Sequence, residues 1–388
     1  MHNTLSAPIL PEATLGMLGG GQLGRMFTIA ARTMGYRVMV LDPDPASPAG
    51  QFADIHLLAD YQDPDALLEM ARSCAAITTE FENVPAATLE YLAAHRPVKP
   101  GAAAVSIAQN RVAEKQWLKR HGFATTPFAI ITDADDIAPA CAKIGFPAVL
   151  KVSRFGYDGK GQARVSDEAQ VHAAFAEMGR ELCVLESLLT LECELSVVLG
   201  RNEAGEIASY PVSENIHESG ILAMSIVPAR VTDALAEGAL EMAAAIATRL
   251  DYCGVLAVEF FVVSGGRPVV NEIAPRPHNS GHFTLDACLS SQFEMQVRTL
   301  CNLPLGATAQ HTPAVMVNLL GDVWNNNSQP NWAALLQHPE AKLHLYGKQS
   351  ARPGRKMGHY TCLDASLNKA LAQAIQIRAQ LRNEPPHP

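Results

Sequence analysis

Between Ala13 and about Pro100, short apolar segments alternate with helical patterns, and this alternation constrains the fold more than any other feature. Thr14–Leu18 and Arg37–Leu41 read as buried strands, and Gln22–Thr33 between them carries apolar residues at helical spacing. Ala75–Thr78 is a further strand, flanked by helical patterns at Pro64–Arg72 and Pro85–Ala94. Strands separated by helices can join one sheet only through crossovers, so the pattern predicts a parallel, doubly wound sheet. Lys99–Gly101 is a plausible exit, which sets a Rossmann-like first domain at residues 1–105.

Beyond it the pattern changes to mixed α+β. A helix is expected near Ala108–His121, stopped by Gly122. Strands are expected at Phe146–Val152, Cys183–Glu186, Glu194–Leu199, Val255–Val263 and Pro268–Ile273, with an Ala-rich helix at Leu235–Leu250. After about Cys301 a Pro-rich passage leads to a smaller piece containing His344–Tyr346 and Ala351–His359. A length of 388 residues suits two or three domains.

Net charge narrows the ligands. At −9, with 6% aromatic residues and no basic run among them, the chain repels nucleic acid and anionic lipid. Any phosphate must be held by local cations or backbone N–H groups. No segment approaches the ~18 apolar residues of a membrane span, and no signal peptide is visible. The eight cysteines are scattered without a Cys-x-x-Cys pair. That argues for a reducing cytoplasm and against disulfide and zinc sites.

Two glycine loops follow strands. Gly19, Gly21 and Gly24 form G-x-G-x-x-G before a helix, and Asp42 ends the next strand. This is a dinucleotide fingerprint, so a dehydrogenase is one reading. A tight strand–helix turn is another, and Gln22 and Arg25 could hold a different anion. The second loop, Gly156-Tyr-Asp-Gly-Lys-Gly-Gln162, follows a strand ending at Lys151. Gln162–Val165 looks like a returning strand, which makes the loop a hairpin flap. Its backbone N–H groups can form an anion nest, with Lys151 and Lys160 adding charge. Gln162 after Gly161 rules out a Walker A loop. Standing alone, the segment would be an ordinary surface turn.

Acids elsewhere change that reading. Glu186 ends a strand, and Glu194 follows in the next segment. Glu259 lies inside the apolar strand Val258-Glu-Phe-Phe-Val, and Glu272 lies in Val269-Val-Asn-Glu-Ile beside Asn271. A carboxylate in such a strand costs several kcal/mol unless it is paired or holds a cation. One is more often salt-bridged; two downstream of a phosphate loop fit Mg²⁺ held between carboxylates and nucleotide phosphates.

At this point the sequence resembles the ATP-grasp superfamily over essentially its whole length. The resemblance implies an α/β and α+β fold in three parts: the N-terminal domain, an ATP-grasp domain at 106–301 with a flexible lid at about 122–190, and a small C-terminal domain at 302–388. It implies ATP as cofactor with one or two Mg²⁺. Arg111, Lys151 and the loop Gly156, Tyr157, Asp158, Gly159, Lys160, Gly161 and Gln162 would contact ATP. Glu186, Ser187, Leu188 and Leu189 would lie at the adenine edge, Glu194 at the ribose, and His217 near the nucleotide. Glu259, Glu272 and Asn271 would hold the metal.

Four stretches narrow the resemblance. They are Gly19-Gly-Gly-Gln-Leu-Gly-Arg-Met26, Asn215-Ile-His-Glu-Ser-Gly-Ile221, Ala274-Pro-Arg-Pro-His-Asn-Ser-Gly-His282 and Ala351-Arg-Pro-Gly-Arg-Lys-Met-Gly-His359. Together they are similar to the N5-carboxyaminoimidazole ribonucleotide synthetase family of purine biosynthesis. That implies ATP, bicarbonate and 5-aminoimidazole ribonucleotide as small-molecule partners, carboxyphosphate as intermediate, no biotin, and a homodimer. Gln22, Leu23, Glu80, Tyr157, Arg276, His278, Asn279, Lys348, Arg355 and Lys356 would bind the substrates. Asp158, Arg276, His278 and Lys348 would serve catalysis. Glu80 lies just past a strand end, where open α/β sheets bind ligands. Arg355 and Lys356, with Arg352, surround Gly354 as a phosphate site or as a solvated turn. Open alternatives are formate-dependent glycinamide ribonucleotide formyltransferase, a biotin-carboxylase-like ligase, a non-catalytic nucleotide-binding module and an NAD-dependent oxidoreductase.

Overall fold

The computed structural model describes residues 7–154, 161–324 and 329–382. Gly156, Tyr157, Asp158, Gly159 and Lys160 lie outside these residues.

The chain begins with β1 (Thr14–Leu18), α1 (Gln22–Thr33), β2 (Arg37–Leu41), β3 (Ile55–Leu57), α2 (Pro64–Ser73), β4 (Ala76–Thr79) and α3 (Ala86–Ala93). The four strands form a parallel sheet in the order β3-β2-β1-β4, as the strand–helix alternation required. α1 turns Leu23, Met26, Phe27 and Ala31 toward the core, at the spacing of one helical face. Emptying such a position, as in Phe27→Ala, costs about 3–5 kcal/mol.

The helix expected near Ala108–His121 is α5 (Arg111–Arg120), and a shorter helix that the pattern did not indicate, α4 (Ala102–Ala108), precedes it. Asn110 makes the break. Its backbone is extended, and its side chain accepts the N–H groups of Val112 and Ala113, which caps α5. Gly122, with φ +78°, follows the end of α5 as expected.

Next come β5 (Phe128–Ile131), α6 (Ile137–Ile144), β6 (Ala148–Val152), β7 (Gln162–Val165), α7 (Glu168–Glu177) and β8 (Cys183–Ser187). Their strands form a separate antiparallel sheet in the order β5-β8-β6-β7. Lys151 on β6 pairs with Gln162 on β7, so the second glycine loop joins a hairpin. Ile137, Val171 and Phe175 pack α6 and α7 onto one face of this sheet.

The remaining elements are β9 (Leu191–Arg201), β10 (Ile207–Ser209), β11 (Ser213–Glu218), β12 (Ile221–Val227), α8 (Asp233–Arg249), β13 (Gly254–Val263) and β14 (Arg267–Ala274). They are followed by α9 (Thr284–Ala287), α10 (Gln292–Leu300), β15 (Ala314–Leu320), α11 (Trp332–Leu336), β16 (Ala341–Leu345), β17 (Lys356–Leu363) and α12 (Leu367–Arg382). Among the described residues, all of these strands share one sheet in the order β14-β13-β9-β11-β12-β15-β17-β16, with β10 beside β9. The C-terminal strands thus extend the sheet that begins with the two acid-bearing strands. α8 buries Ala239, Ala243, Ile246 and Ala247 against Leu199, Leu256 and Val258.

One contact matters most for the site. α10 sets Phe293, Val297 and Leu300 against Phe27 and Leu23 of α1, with Tyr346 in the same cluster. This apolar seam fixes the first glycine loop relative to the segment after β14. Among the described residues, no helix is long and apolar enough to cross a membrane.

Candidate active site

Glu259 and Glu272 are directly paired across the antiparallel strands β13 and β14. The next pair is Phe260 with Val270, so Asn271 is the extra residue of a β-bulge. The bulge turns Asn271 toward the same acids, and its Nδ2 lies 3.4 Å from Glu259 Oε2. Its Oδ1 is buried without a hydrogen-bond partner among the described residues. Burial, and then the charge of Glu272, push the Glu259 carboxyl up to about 7. Two facing carboxylates and an unsatisfied amide oxygen are a hard-oxygen donor set that fits Mg²⁺.

Cations border this pair. Arg111, at the capped start of α5, stands 3.2 Å from Glu272 Oε2. Its backbone N–H donates to Ser153 O and the Ser153 hydroxyl to Asn110 Oδ1, which ties α5 to the end of β6. Lys151 donates to Glu186 Oε2 at 2.9 Å, and Lys115 lies 3.4 Å from Glu186 Oε1. Burial alone would raise the Glu186 carboxyl, but Lys115 and then Lys151 outweigh it and hold it at about 2. The Glu186 side chain therefore faces inward, while Ser187 and Leu188 bond their backbone N–H groups to Pro127 and Pro147. Leu188 is exposed at the strand end and Leu189 half-buried.

Glu194 and His217 are also brought together, with His217 Nδ1 2.9 Å from Glu194 Oε2. Burial would lower the His217 pKa; the Glu194 hydrogen bond and the charge of Glu259 raise it instead. Gly161 sits at φ +67° and its carbonyl accepts the Val152 N–H at 2.8 Å, while Gln162 opens β7 with an exposed side chain.

The segment after β14 crosses toward the N-terminal sheet. Arg276 makes a two-pronged ion pair with Glu82, Nε to Oε2 at 2.5 Å and Nη2 to Oε1 at 3.2 Å. His278 Nε2 lies 3.1 Å from Glu259 Oε1, which joins this segment to the acid pair. Burial, then Arg276 and Lys356, push the His278 pKa well below its usual value and leave the ring neutral at pH 7. Asn279 is buried, and neither amide atom of its side chain has a partner among the described residues. Gln292 on α10 shapes the turn. Its Oε1 accepts the His278 N–H at 2.9 Å, and its Nε2 donates to the His278 carbonyl at 2.8 Å.

The first glycine loop closes on Glu80. Its carboxylate accepts the N–H groups of Gly21 and Leu23. A Cβ at Gly21 would fall 2.3 Å from Glu80 Oε1, so a larger residue there would push this carboxylate aside. Asp42 accepts from Gly20 N, Asp44 N and the Tyr61 hydroxyl, which occupies the acid that a dinucleotide ribose would need. Gln22, at the start of α1, instead accepts the ammonium of Lys348, which also donates to the Lys356 carbonyl at 2.8 Å. Arg355 turns back to Ser350, donating to its carbonyl and hydroxyl, both at 2.9 Å. The expected residues Gln22, Lys348 and Lys356 thus meet although 326 positions separate the first two.

Sequence reasoning passed over Glu82, Glu114, Lys115 and Gln292. Glu114 is buried, accepts the Ile273 N–H at 2.5 Å, and is pushed up to about 8 by burial and by Glu272. Glu114 and Lys115 do carry a readable signal: they share the buried face of α5 with Trp117 and Leu118. Glu82 and Gln292 carry none, because their partners are remote in sequence.

Family models cover most of this architecture. A ribonucleotide synthetase pre-ATP-grasp domain matches residues 12–109, and an ATP-grasp domain matches residues 116–293. A phosphoribosylaminoimidazole carboxylase C-terminal domain matches residues 314–373. The fold is that of the ATP-dependent ligases of the ATP-grasp class. The N5-carboxyaminoimidazole ribonucleotide synthase of Bacillus subtilis is 45% identical over 91% of this chain and 92% of its own. That of Brucella melitensis is 44% identical over 90% and 96%. The chain belongs to the N5-carboxyaminoimidazole ribonucleotide synthase family. The synthetase structure from Thermus thermophilus superposes with TM-score 0.88 at 39% identity, covering 96% of this chain and all of that one. The Aspergillus clavatus enzyme, solved with ADP and 5-aminoimidazole ribonucleotide, has TM-score 0.90 at 29% identity over 97% and 100% of the two chains.

Proposed function

We propose that this chain uses ATP to join bicarbonate to the amine of 5-aminoimidazole ribonucleotide, giving N5-carboxyaminoimidazole ribonucleotide, ADP and phosphate. The single observation that carries the reading is the 3.1 Å contact between Glu259 and His278. It supports the reading by bringing the acid pair that would hold Mg²⁺ against the segment that would hold the acceptor.

Lys151 and Arg111, with the glycine loop, would bind the phosphates of ATP, and the 187–189 strand end and Glu194 would hold the adenosine. Glu259, Glu272 and Asn271 would hold Mg²⁺, which when bound offsets charge on the phosphates. Bicarbonate attacks the γ-phosphorus, the bond to the β-phosphate oxygen breaks, and carboxyphosphate and ADP result. Arg276, His278 and Asn279 would place the bicarbonate, and the unsatisfied amide of Asn279 offers both a donor and an acceptor. The neutral imidazole of His278 can take the proton lost when the ribonucleotide amine attacks carbon. Phosphate then leaves. Lys348, Arg355 and Lys356 supply cations for the ribonucleotide phosphate, with Gln22, Leu23 and Glu80 on the opposite wall. Tyr157 and Asp158 would face the same substrate, and closure of their hairpin would exclude water from carboxyphosphate.

We also propose the division at 1–105, 106–301 and 302–388, with 122–190 as the moving lid; its separate sheet favours this. A homodimer rests on the family resemblance alone. A cytoplasmic setting fits eight free cysteines. The test is ADP release with bicarbonate, in the presence and absence of 5-aminoimidazole ribonucleotide. Turnover should rise with the ribonucleotide; a rate indifferent to it contradicts the acceptor.

A further inference from the structure

Lys115 is a buried cation to which none of the steps above gives a role. Its side chain is 0% exposed, against 2% for Glu186 and 11% for Lys151. Of the three, only Lys151 has surface with which to touch a ligand. Lys115 Nζ lies 3.4 Å from Glu186 Oε1 and donates to Thr125 Oγ1 at 3.0 Å, while Lys151 takes the other carboxylate oxygen at 2.9 Å. Glu186 thus stands between two lysines, one below it in the core and one above it in the cleft.

The charges decide what this arrangement does. Lys151 and Glu186 alone make a neutral pair, and a neutral pair offers a phosphate little. Two lysines on one carboxylate leave a net charge of +1, and the exposed end of that charge is Lys151. A buried lysine is expensive, since burial disfavours its charged form, and the charges of Glu186 first and Glu114 second offset only part of this. Packing alone would be served as well by an apolar side chain beside Trp117 and Leu118.

We infer that Lys115 is a positioning residue for nucleotide binding: it neutralises Glu186 from beneath and leaves the charge of Lys151 to the phosphates. The inference rests on the reading of Lys151 as a phosphate ligand. It assigns Glu186 a role in setting the strength of that ligand, separate from any contact at the adenine edge.

The test is a cycle of variants of the full chain, with ADP binding measured by calorimetry at fixed Mg²⁺. Lys151→Met is the control; if it binds ADP as the wild type does, the phosphate reading itself fails. Given that control, Lys115→Met should weaken ADP binding by roughly tenfold, or about 1.4 kcal/mol. Lys115→Met combined with Glu186→Gln should recover most of that loss, because Lys151 is again uncompensated. A purely structural lysine predicts the opposite, with the double variant as weak as the single or weaker, and that result overturns the inference. Wild-type affinity in Lys115→Met also overturns it. If Lys115→Met does not fold, Lys115→Gln with and without Glu186→Gln runs the same cycle: recovery in the double variant supports the inference, and no recovery overturns it.

Discussion

Glu259 and Glu272 face each other as cross-strand partners on β13 and β14, where like charges oppose folding. A sheet keeps such a pair at a cost in stability. If the pair holds Mg²⁺, Glu272→Ala should lower ADP formation by at least about 100-fold at saturating ATP. Added Mg²⁺ should recover only part of the loss. An unchanged Mg²⁺-dependent rate in this variant contradicts the assignment.

The same pair gives a pH dependence whose sign is fixed. The Glu259 pKa is raised to about 7 in the folded chain from an ordinary 4.5. Its folded form therefore holds a proton that the unfolded chain releases, and stability is lost as pH rises from 4.5 through 7. Glu259→Gln cannot ionise. In the metal-free chain it should melt higher than wild type at pH 8 and about equally at pH 4.5, a difference on the order of 3 kcal/mol. Melting curves at the two pH values check this, and a gap that narrows toward pH 8 is the wrong sign.

Arg276 and Glu82 link the segment after β14 to the N-terminal sheet. Burial would raise the Glu82 carboxyl, and Arg276 holds it below the usual range. Glu82→Gln leaves a largely buried guanidinium without its counter-charge and should destabilise the chain by about 3 kcal/mol. Denaturant unfolding measures it. A change under 0.5 kcal/mol, roughly that of an ordinary surface substitution, excludes a structural role for the pair.

Lys348 donates to Gln22; if the two hold the ribonucleotide, as proposed, removing the lysine should act on the ribonucleotide and not on ATP. Lys348→Met should raise KM for 5-aminoimidazole ribonucleotide by roughly 10- to 100-fold and leave KM for ATP within a factor of about three. Equal changes in both constants point to a collapsed fold instead.

Much of this molecule is legible in its residues. β1, α1 and β2 have the bounds that their apolar spacing indicates, because each shows a single periodicity between clear breakers, and β7 has those of the strand expected to return from the glycine loop. The helix near 108–121 starts only at Arg111, because the Asn110 side chain caps it there, a local bond that periodicity does not register. Glu259 and Glu272 stood out as acids in apolar strands. Their direct pairing, and the bulge that brings in Asn271, depend on strand register that no local pattern encodes. Glu186 was placed at the nucleotide by its strand end, but its inward turn toward Lys115 depends on α5 packing beneath β8. Long-range partners such as Glu82 for Arg276, or Lys348 for Gln22, become visible only once the chain is folded.

The most direct test of the carboxylation itself is the fate of labelled bicarbonate. With ¹⁴C-bicarbonate, ATP and 5-aminoimidazole ribonucleotide, label should enter an acid-labile carbamate, one equivalent for each ADP formed. Label incorporated without ATP consumption, or ADP formed with no label on the ribonucleotide, would contradict it.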